Sequence, residues 1–264
     1  MGSQISCTSL SCFFSSIDNK IEKMIYHPPQ RNINSYSNLN TNRSALLQYF
    51  TKNGNKISAL QITPHGNNCP EKYIVYSHGN SGDIVNMYSY CAKLADELNI
   101  GVFIYDYIGY GLSEATEPSE EGCYNSIDAT LNYLLYEWKM DPTKIFLVGH
   151  SLGTGVIVDY ISKHDWTTPV ILISPYKSIC KIVIDTSCIA PIDKFRSKEK
   201  LKFVKCPIKI FHGEHDDVIN ITHGIKMYNS LTNKTLEPVW FKNTNHHDIL
   251  DKITKDHYLE VLNY

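Results

Sequence analysis

Three clusters of polar residues in this chain carry the types and spacing needed for acyl-transfer chemistry. Gly149-His150-Ser151-Leu152-Gly153 sets a serine between glycines. A serine hydroxyl is a poor nucleophile near neutral pH and needs a base to take its proton. The base in turn needs a carboxylate to orient it. Candidate acids lie in His212-Gly213-Glu214-His215-Asp216-Asp217, with Asp216 preferred over Asp217 and Glu214. Candidate bases lie in Asn243-Thr244-Asn245-His246-His247-Asp248, with His246 preferred over His247. The tetrahedral intermediate of such a reaction also needs N–H donors for its oxyanion. The backbone N–H of Leu152, next to the serine, is one candidate. The second comes from Ser77-His78-Gly79-Asn80-Ser81-Gly82, where the N–H of Asn80 is chosen over that of Ser81. The next glycine-rich loop, residues 106–113, reads as mainly architectural, with Tyr107 and Tyr110 as candidates for lining an acyl pocket. A zinc reading of the clustered histidines lacks ligand spacing of the H-e-x-x-H kind. No metal and no cofactor is expected.

These residues are useful only if the elements around them deliver them to one place. Lys144–Val148 reads as a buried strand and Leu152–Ile161 as a helix, so Ser151 falls on a sharp strand-to-helix turn. Side chains at 149 and 153 would collide with strand and helix there. Ile208–His212 and Val239–Lys242 read as strands that end in the acid and base loops. Before them, Ala45–Thr51 and Lys56–Thr63 flank Asn53-Gly54-Asn55, a hairpin signal. Tyr73–Ser77, Gly101–Tyr105 and Val170–Ser174 complete the expected strands. Asp83–Leu98, Ser119–Trp138, Thr222–Leu231 and Asp251–Leu262 are the other expected helices. A hairpin followed by repeated strand–helix units predicts a mostly parallel sheet covered by helices on both faces. The interval between Ser174 and Ile208 has few consecutive apolar positions beyond 179–184, so only a minimal lid is expected.

The chain has 264 residues, 42% hydrophobic and 20% charged, which suits one large α/β domain. A net charge of −2 gives no reason to expect a nucleic-acid partner. Eight cysteines are scattered without a C-x-x-C pair, the pattern of reduced thiols. No apolar run is long enough to span a bilayer. The first residues, Met1-Gly2-Ser3-Gln4-Ile5-Ser6, fit the N-myristoylation pattern, and Cys7 and Cys12 are candidates for S-acylation. One acyl chain binds membranes only marginally, so a second would make the anchor durable. Phe14, Ile17, Ile21, Met24 and Ile25 recur at helical spacing before Pro28-Pro29. That apolar stripe suits either a membrane interface or docking on the domain. Residues 30–43, rich in Asn and Ser, read as a linker. Residues 1–43 are thus an anchor, helix and linker, and 44–264 a catalytic domain.

The combination of His78-Gly79-Asn80-Ser81-Gly82-Asp83, Asp106-Tyr107-x-Gly109-Tyr110-Gly111-x-Ser113, Gly149-His150-Ser151-Leu152-Gly153-Thr154, Asp216 with Val218-Ile219, and His246-x-Asp248-Ile249 resembles the small ABHD-type α/β-hydrolases. The resemblance runs from about Ile21 to the C-terminus. It is closest to the N-terminally acylated subgroup that removes palmitate from membrane proteins. It implies the α/β-hydrolase fold, a nucleophile at Ser151, an acid at Asp216 and a base at His246. It also implies S-acylated membrane proteins or acyl esters as substrates, and a lipid-anchored, peripheral position at the cytoplasmic face of a membrane. A monomer is expected. Two departures stand out. The subgroup's tip is a cluster of cysteines, where this chain has Gly2, Cys7 and Cys12, and its base loop tends to have Gly where this chain has Asn245. A carboxylesterase, lipid hydrolase or aminopeptidase-like hydrolase is the near alternative. A catalytically silent, membrane-bound interaction module is the alternative from another class.

Overall fold

The computed structural model describes residues 22–23, 25–67, 69–183 and 193–264. Gly2, Cys7 and Cys12 lie outside them, as do Phe14, Ile17, Ile21 and Met24 of the apolar stripe and the end of the 179–184 run. Among the described residues eight strands form one sheet. In chain order they are β1 (Ser44–Phe50), β2 (Lys56–Ile62), β3 (Tyr73–Ser77), β4 (Gly101–Tyr105), β5 (Ile145–His150), β6 (Val170–Ile173), β7 (Ile208–Gly213) and β8 (Val239–Phe241). Their spatial order is β1-β2-β4-β3-β5-β6-β7-β8. β1, β2 and β4 pair antiparallel, and every later pairing is parallel.

The helices are α1 (Ile33–Ser37), α2 (Ile84–Leu98), α3 (Glu120–Asn132), α4 (Leu152–Lys163), α5 (Cys180–Val183), α6 (Ser197–Lys200), α7 (Thr222–Asn229), α8 (Ile249–Lys252) and α9 (Lys255–Leu262). Successive strand residues face opposite ways, so each central strand feeds two cores. Val75, Phe103, Tyr105 and Leu147 face one core, with Ile127 and Leu131 of α3, Val156 of α4 and Met227 of α7. Ile74, Tyr76, Ile104 and Phe146 face the other, with Leu94 and Leu98 of α2 and Tyr258 and Val261 of α9. Burial on both faces explains why the central strands are continuous apolar runs.

Three departures from the sequence reading have local causes. The helix expected to Trp138 ends at Asn132 and continues as a wider turn, in which Trp138 N–H bonds the Tyr133 carbonyl five residues back, at 3.0 Å. The closing helix is two pieces, α8 and α9. Ile253 turns extended, and the Thr254 N–H is taken up by His257 Nδ1 at 3.0 Å, which starts a new helix. The stretch 30–43, read as a linker, carries α1 and buries Tyr36 and Leu39 against the domain. The Tyr36 hydroxyl lies 3.3 Å from Asp106 Oδ2 and 3.4 Å from Asp83 Oδ2. Upstream of it, Ile25 and Tyr26 are buried in the first core, so this end of the apolar stripe docks on the domain.

Candidate active site

β5 runs into α4 through a single residue. Ser151 has φ 51° and ψ −116°, a conformation that costs a non-glycine residue about 1–3 kcal/mol. Its surroundings enforce it. Ser151 N–H donates to the Ile173 carbonyl (2.9 Å), and the Ser151 carbonyl accepts from Thr154 N–H (2.9 Å) and Thr154 Oγ1 (2.7 Å). The flanking glycines are needed for close approach. A Cβ on Gly149 would stand 2.6 Å from the Gly153 carbonyl oxygen, and one on Gly153 would stand 2.0 Å from that of Ser77.

The loops after β7 and β8 bring the acid and base to this turn. Ser151 Oγ lies 3.1 Å from His246 Nε2. His246 Nδ1 lies 2.8 Å from Asp216 Oδ2 and 3.0 Å from Oδ1. An Nδ1–H donated to the carboxylate leaves Nε2 as the acceptor facing the serine. Asp216 also accepts from the N–H groups of Val218 (3.0 Å) and Ile219 (2.7 Å) and from Ser174 Oγ (2.8 Å). Burial alone would raise this carboxyl. The bonds from His246, Ile219 and Ser174 and the charge of His246 outweigh it and hold the group below the usual range. Ser174 was not singled out from the sequence; a polar residue closing a buried strand was its only signal.

The alternates fall elsewhere. His247 sits edge-on to His246, and its N–H, with that of Asp248, is capped by Asn245 Oδ1. Among the described residues Asp217 reaches only the His246 N–H, at 3.5 Å, and the Glu214 side chain is exposed.

Three further histidines stand close by. His212 Nε2 donates to the Ile219 carbonyl (2.7 Å) and lies 3.4 Å from Asp216 Oδ2, and burial pushes this imidazole down. His150 stacks on His246, with ring centres 5.6 Å apart, and its buried Nε2 has no hydrogen-bond partner among the described residues. Burial first, and then the neighbouring His246, push it down to about 3. His78, which bonds the Gly79 carbonyl through Nδ1 at 2.8 Å, is pushed by burial down to about 4. All three are neutral at physiological pH and leave His246 to do the proton work.

The candidate oxyanion donors flank Ser151. Leu152 opens α4, so its N–H has no acceptor within the helix. Gly79 packs against the elbow: a Cβ there would stand 3.5 Å from Ser151 Cβ. Asn80 follows it directly. Neither the Leu152 nor the Asn80 N–H is hydrogen-bonded among the described residues. Tyr107 and Tyr110 do not line a pocket as expected. Both are fully buried and brace this loop instead: the Tyr107 hydroxyl donates to the His78 carbonyl (2.7 Å) and that of Tyr110 to Asn80 Oδ1 (2.8 Å). Among the described residues, no group of three His, Cys, Asp or Glu side chains is arranged to hold a metal ion.

A strained serine elbow, a histidine and a carboxylate delivered by the parallel strands β5, β8 and β7 suit one family, and comparison with known proteins decides it. The chain is 51% identical over 250 residues to a putative alpha/beta hydrolase of Acanthamoeba polyphaga mimivirus, covering 95% of each protein. The chain belongs to the ABHD-type α/β-hydrolases. This hydrolase is also 36% identical over 177 residues to human alpha/beta hydrolase domain-containing protein 17C, across 67% of its own length and 53% of the human protein. It therefore spans about half the length of that relative. The family model for serine aminopeptidase, S33, matches residues 68–198. Among solved structures, an esterase of Pyrococcus furiosus superposes with a TM-score of 0.70 at 14% identity, over 90% of the hydrolase and 98% of the esterase. A serine hydrolase of Xanthomonas campestris, described as lacking a lid, superposes with a TM-score of 0.64 at 16% identity, over 85% and 96%.

Proposed function

We propose that this hydrolase is an acyl-protein thioesterase that removes fatty acyl groups, palmitate first among them, from cysteines of membrane-associated proteins. The reading is carried by the continuous line Ser151 Oγ–His246 Nε2 and His246 Nδ1–Asp216 at the strained elbow. Ser151 attacks the thioester carbonyl carbon while His246 Nε2 takes its proton. The negative charge that develops on the carbonyl oxygen is met by the N–H groups of Leu152 and Asn80. Collapse breaks the C–S bond, the proton on His246 passes to the departing sulfur, and the acyl group stays on Ser151. Water, deprotonated by His246, then attacks the acyl-enzyme; the bond to Ser151 Oγ breaks as His246 passes that proton to it, and the fatty acid is released. Asp216 holds the imidazole in the working tautomer and stabilises it when charged.

This triad serves thioesters and oxyesters alike. The thioester assignment draws its support from the sequence likeness to the 17C protein and to the acylated subgroup. The likeness to a solved esterase keeps a carboxylesterase as the second reading. The N-terminal pattern supports a membrane anchor made of a myristoyl group on Gly2 with acyl chains on Cys7 and Cys12. That anchor would place the enzyme at the cytoplasmic face, beside its substrates. No helix among the described residues is long and apolar enough to cross a membrane. A serine-reactive alkyl phosphonate should label the wild type and not Ser151→Ala. Peptides bearing palmitoyl-cysteine should be cleaved faster than the matching palmitoyl-serine peptides; the reverse order overturns the thioesterase assignment. Gly2→Ala should move the protein to the soluble fraction, and a variant still bound to membranes would exclude myristate as the principal anchor.

A further inference from the structure

Asn80 offers more than a backbone amide, because its side chain is gripped by two distant parts of the chain. Asn80 Oδ1 accepts from the Tyr110 hydroxyl (2.8 Å) and from the main-chain N–H of His27 (3.0 Å). Asn80 Nδ2 donates to the Ile25 carbonyl and to His27 Nδ1 (3.1 Å). A carboxamide has two donor hydrogens and two acceptor sites, and all four are used here. The grip itself is anchored, since Ile25, Tyr26 and Tyr110 are buried in the core. The other bonds of the loop fix its stem: Tyr107 holds the His78 carbonyl, and Gly82 N–H closes on the Gly79 carbonyl at 2.9 Å. The Gly79 carbonyl shares a peptide plane with the Asn80 N–H, so this turn bond and the side-chain grip act on residue 80 together.

We propose that the Ile25–His27 arm and Tyr110 are positioning elements of the oxyanion hole. They hold residue 80 so that its N–H is already aimed at the space before Ser151 when charge develops there. This rests on the reading of the Asn80 N–H as an oxyanion donor. Such donors are effective because they are preorganised, and a donor that must reorient during the reaction loses much of its value. The arm that leads from the N-terminus to the domain is thereby wired to the catalytic loop. Displacing it lowers turnover with Ser151, His246 and Asp216 all in place.

The test is Asn80→Ala in the full-length chain, which keeps the backbone N–H and severs all four bonds. Turnover of p-nitrophenyl octanoate should show kcat reduced at least about tenfold and by no more than the 10²–10³ that loss of a whole oxyanion donor costs. KM should stay within about twofold, because the hole grips the transition state and not the ester. Affinity for an octyl trifluoromethyl ketone, which forms an oxyanionic adduct on the serine, should fall by the same factor as kcat. Tyr110→Phe, which removes one of the four bonds, should give a smaller drop with the same pattern. Tyr49→Phe on β1 loses a buried hydroxyl bonded to Thr130 Oγ1 of α3 at 2.8 Å, and should leave kcat unchanged. The proposal is overturned if Asn80→Ala retains wild-type kcat, or if kcat falls and ketone affinity does not. Ser151→Ala in the same assay separates the two levels. If it is inactive while Asn80→Ala is unimpaired, only the positioning role fails. If it still turns over, the serine mechanism fails and the positioning role with it.

Discussion

Replacing Gly153 by alanine tests the elbow by geometry alone, with no chemical group removed. The added Cβ would stand 2.0 Å from the Ser77 carbonyl oxygen, 2.6 Å from its carbon and 2.9 Å from the His78 oxygen, all of them backbone atoms. Real Cβ contacts essentially never fall under 3.0 Å, so helix and strand must part by about 1 Å. The strand will not give, because β3 is hydrogen-bonded to β4 on one side and β5 on the other. The N-terminus of α4 must move, taking with it Ser151 and the Leu152 amide. Overpacking of this kind costs about 1–3 kcal/mol. At about 2–4 °C per kcal/mol for a chain of this size, that is a fall in Tm of roughly 2–12 °C. A misplacement of 1 Å at a reacting centre costs about 10² in rate, and here it breaks the 3.1 Å contact between Ser151 and His246. The phosphonate labelling rate should therefore fall about a hundredfold. Gly54→Ala is the contrast. It lies at the β1–β2 hairpin with open space around it and a φ of +82°, so it should cost stability without touching labelling. If Gly153→Ala labelled at the wild-type rate and melted at the wild-type temperature, the close approach of helix and strand would not be what holds the serine in place.

Two further outcomes follow from the proton positions. Asp216→Asn replaces an acceptor by an amide whose N–H can face His246 Nδ1, forcing the imidazole proton onto Nε2, where it blocks transfer from Ser151. Turnover should drop about 10⁴-fold with little change in KM, and a drop under tenfold would show that Asp216 does not set the tautomer. Stability should fall with acid between about pH 6 and 4.5. His78 and His150, held down to about 4 and 3, stay neutral in the folded chain while their unfolded counterparts gain protons, so both lose stability as pH falls. Asp106, raised by burial to about 7, works in the opposite sense: folded, it keeps a proton that the unfolded chain binds only below its ordinary 3.8. Two protons against one leave a net loss of about 1.4 kcal/mol per pH unit from these three groups. Thermal unfolding at pH 6.5 and 5 measures it, and a higher Tm at pH 5 would contradict the burial of the two histidines.

The triad was legible in the sequence because a parallel sheet turns chain order into spatial order. The parallel strands of this sheet end at one edge, so a serine, an acid and a histidine placed just after the signals for β5, β7 and β8 meet without further instruction. Ser151, Asp216 and His246 needed only apolar runs and turn residues to be placed. The choice of His246 over His247 was not legible in that way. It depends on Asn245 capping the N–H groups of residues 247 and 248, a loop conformation with no periodicity to reveal it.

What escaped the sequence shares one property: it joins residues far apart in the chain through side chains with no local signature. Ser174 meets Asp216 across 42 positions, Tyr110 meets Asn80 across 30, and His27 meets Asn80 across 53. The loop of Tyr107 and Tyr110 reads from sequence as mainly architectural, with the two rings as candidate pocket walls. Their hydroxyls settle the architectural role, since a buried tyrosine must find an acceptor, and the unclaimed acceptors nearby were the His78 carbonyl and the Asn80 carboxamide. The same requirement drew in the N-terminal arm. The Asn80 carboxamide, half-buried beside the elbow, makes four bonds; the loop itself supplies none of them, and Tyr110 supplies one. The arm supplies the rest, so the end of a segment whose apolar stripe the sequence leaves open between a membrane interface and the domain becomes part of the frame around the serine.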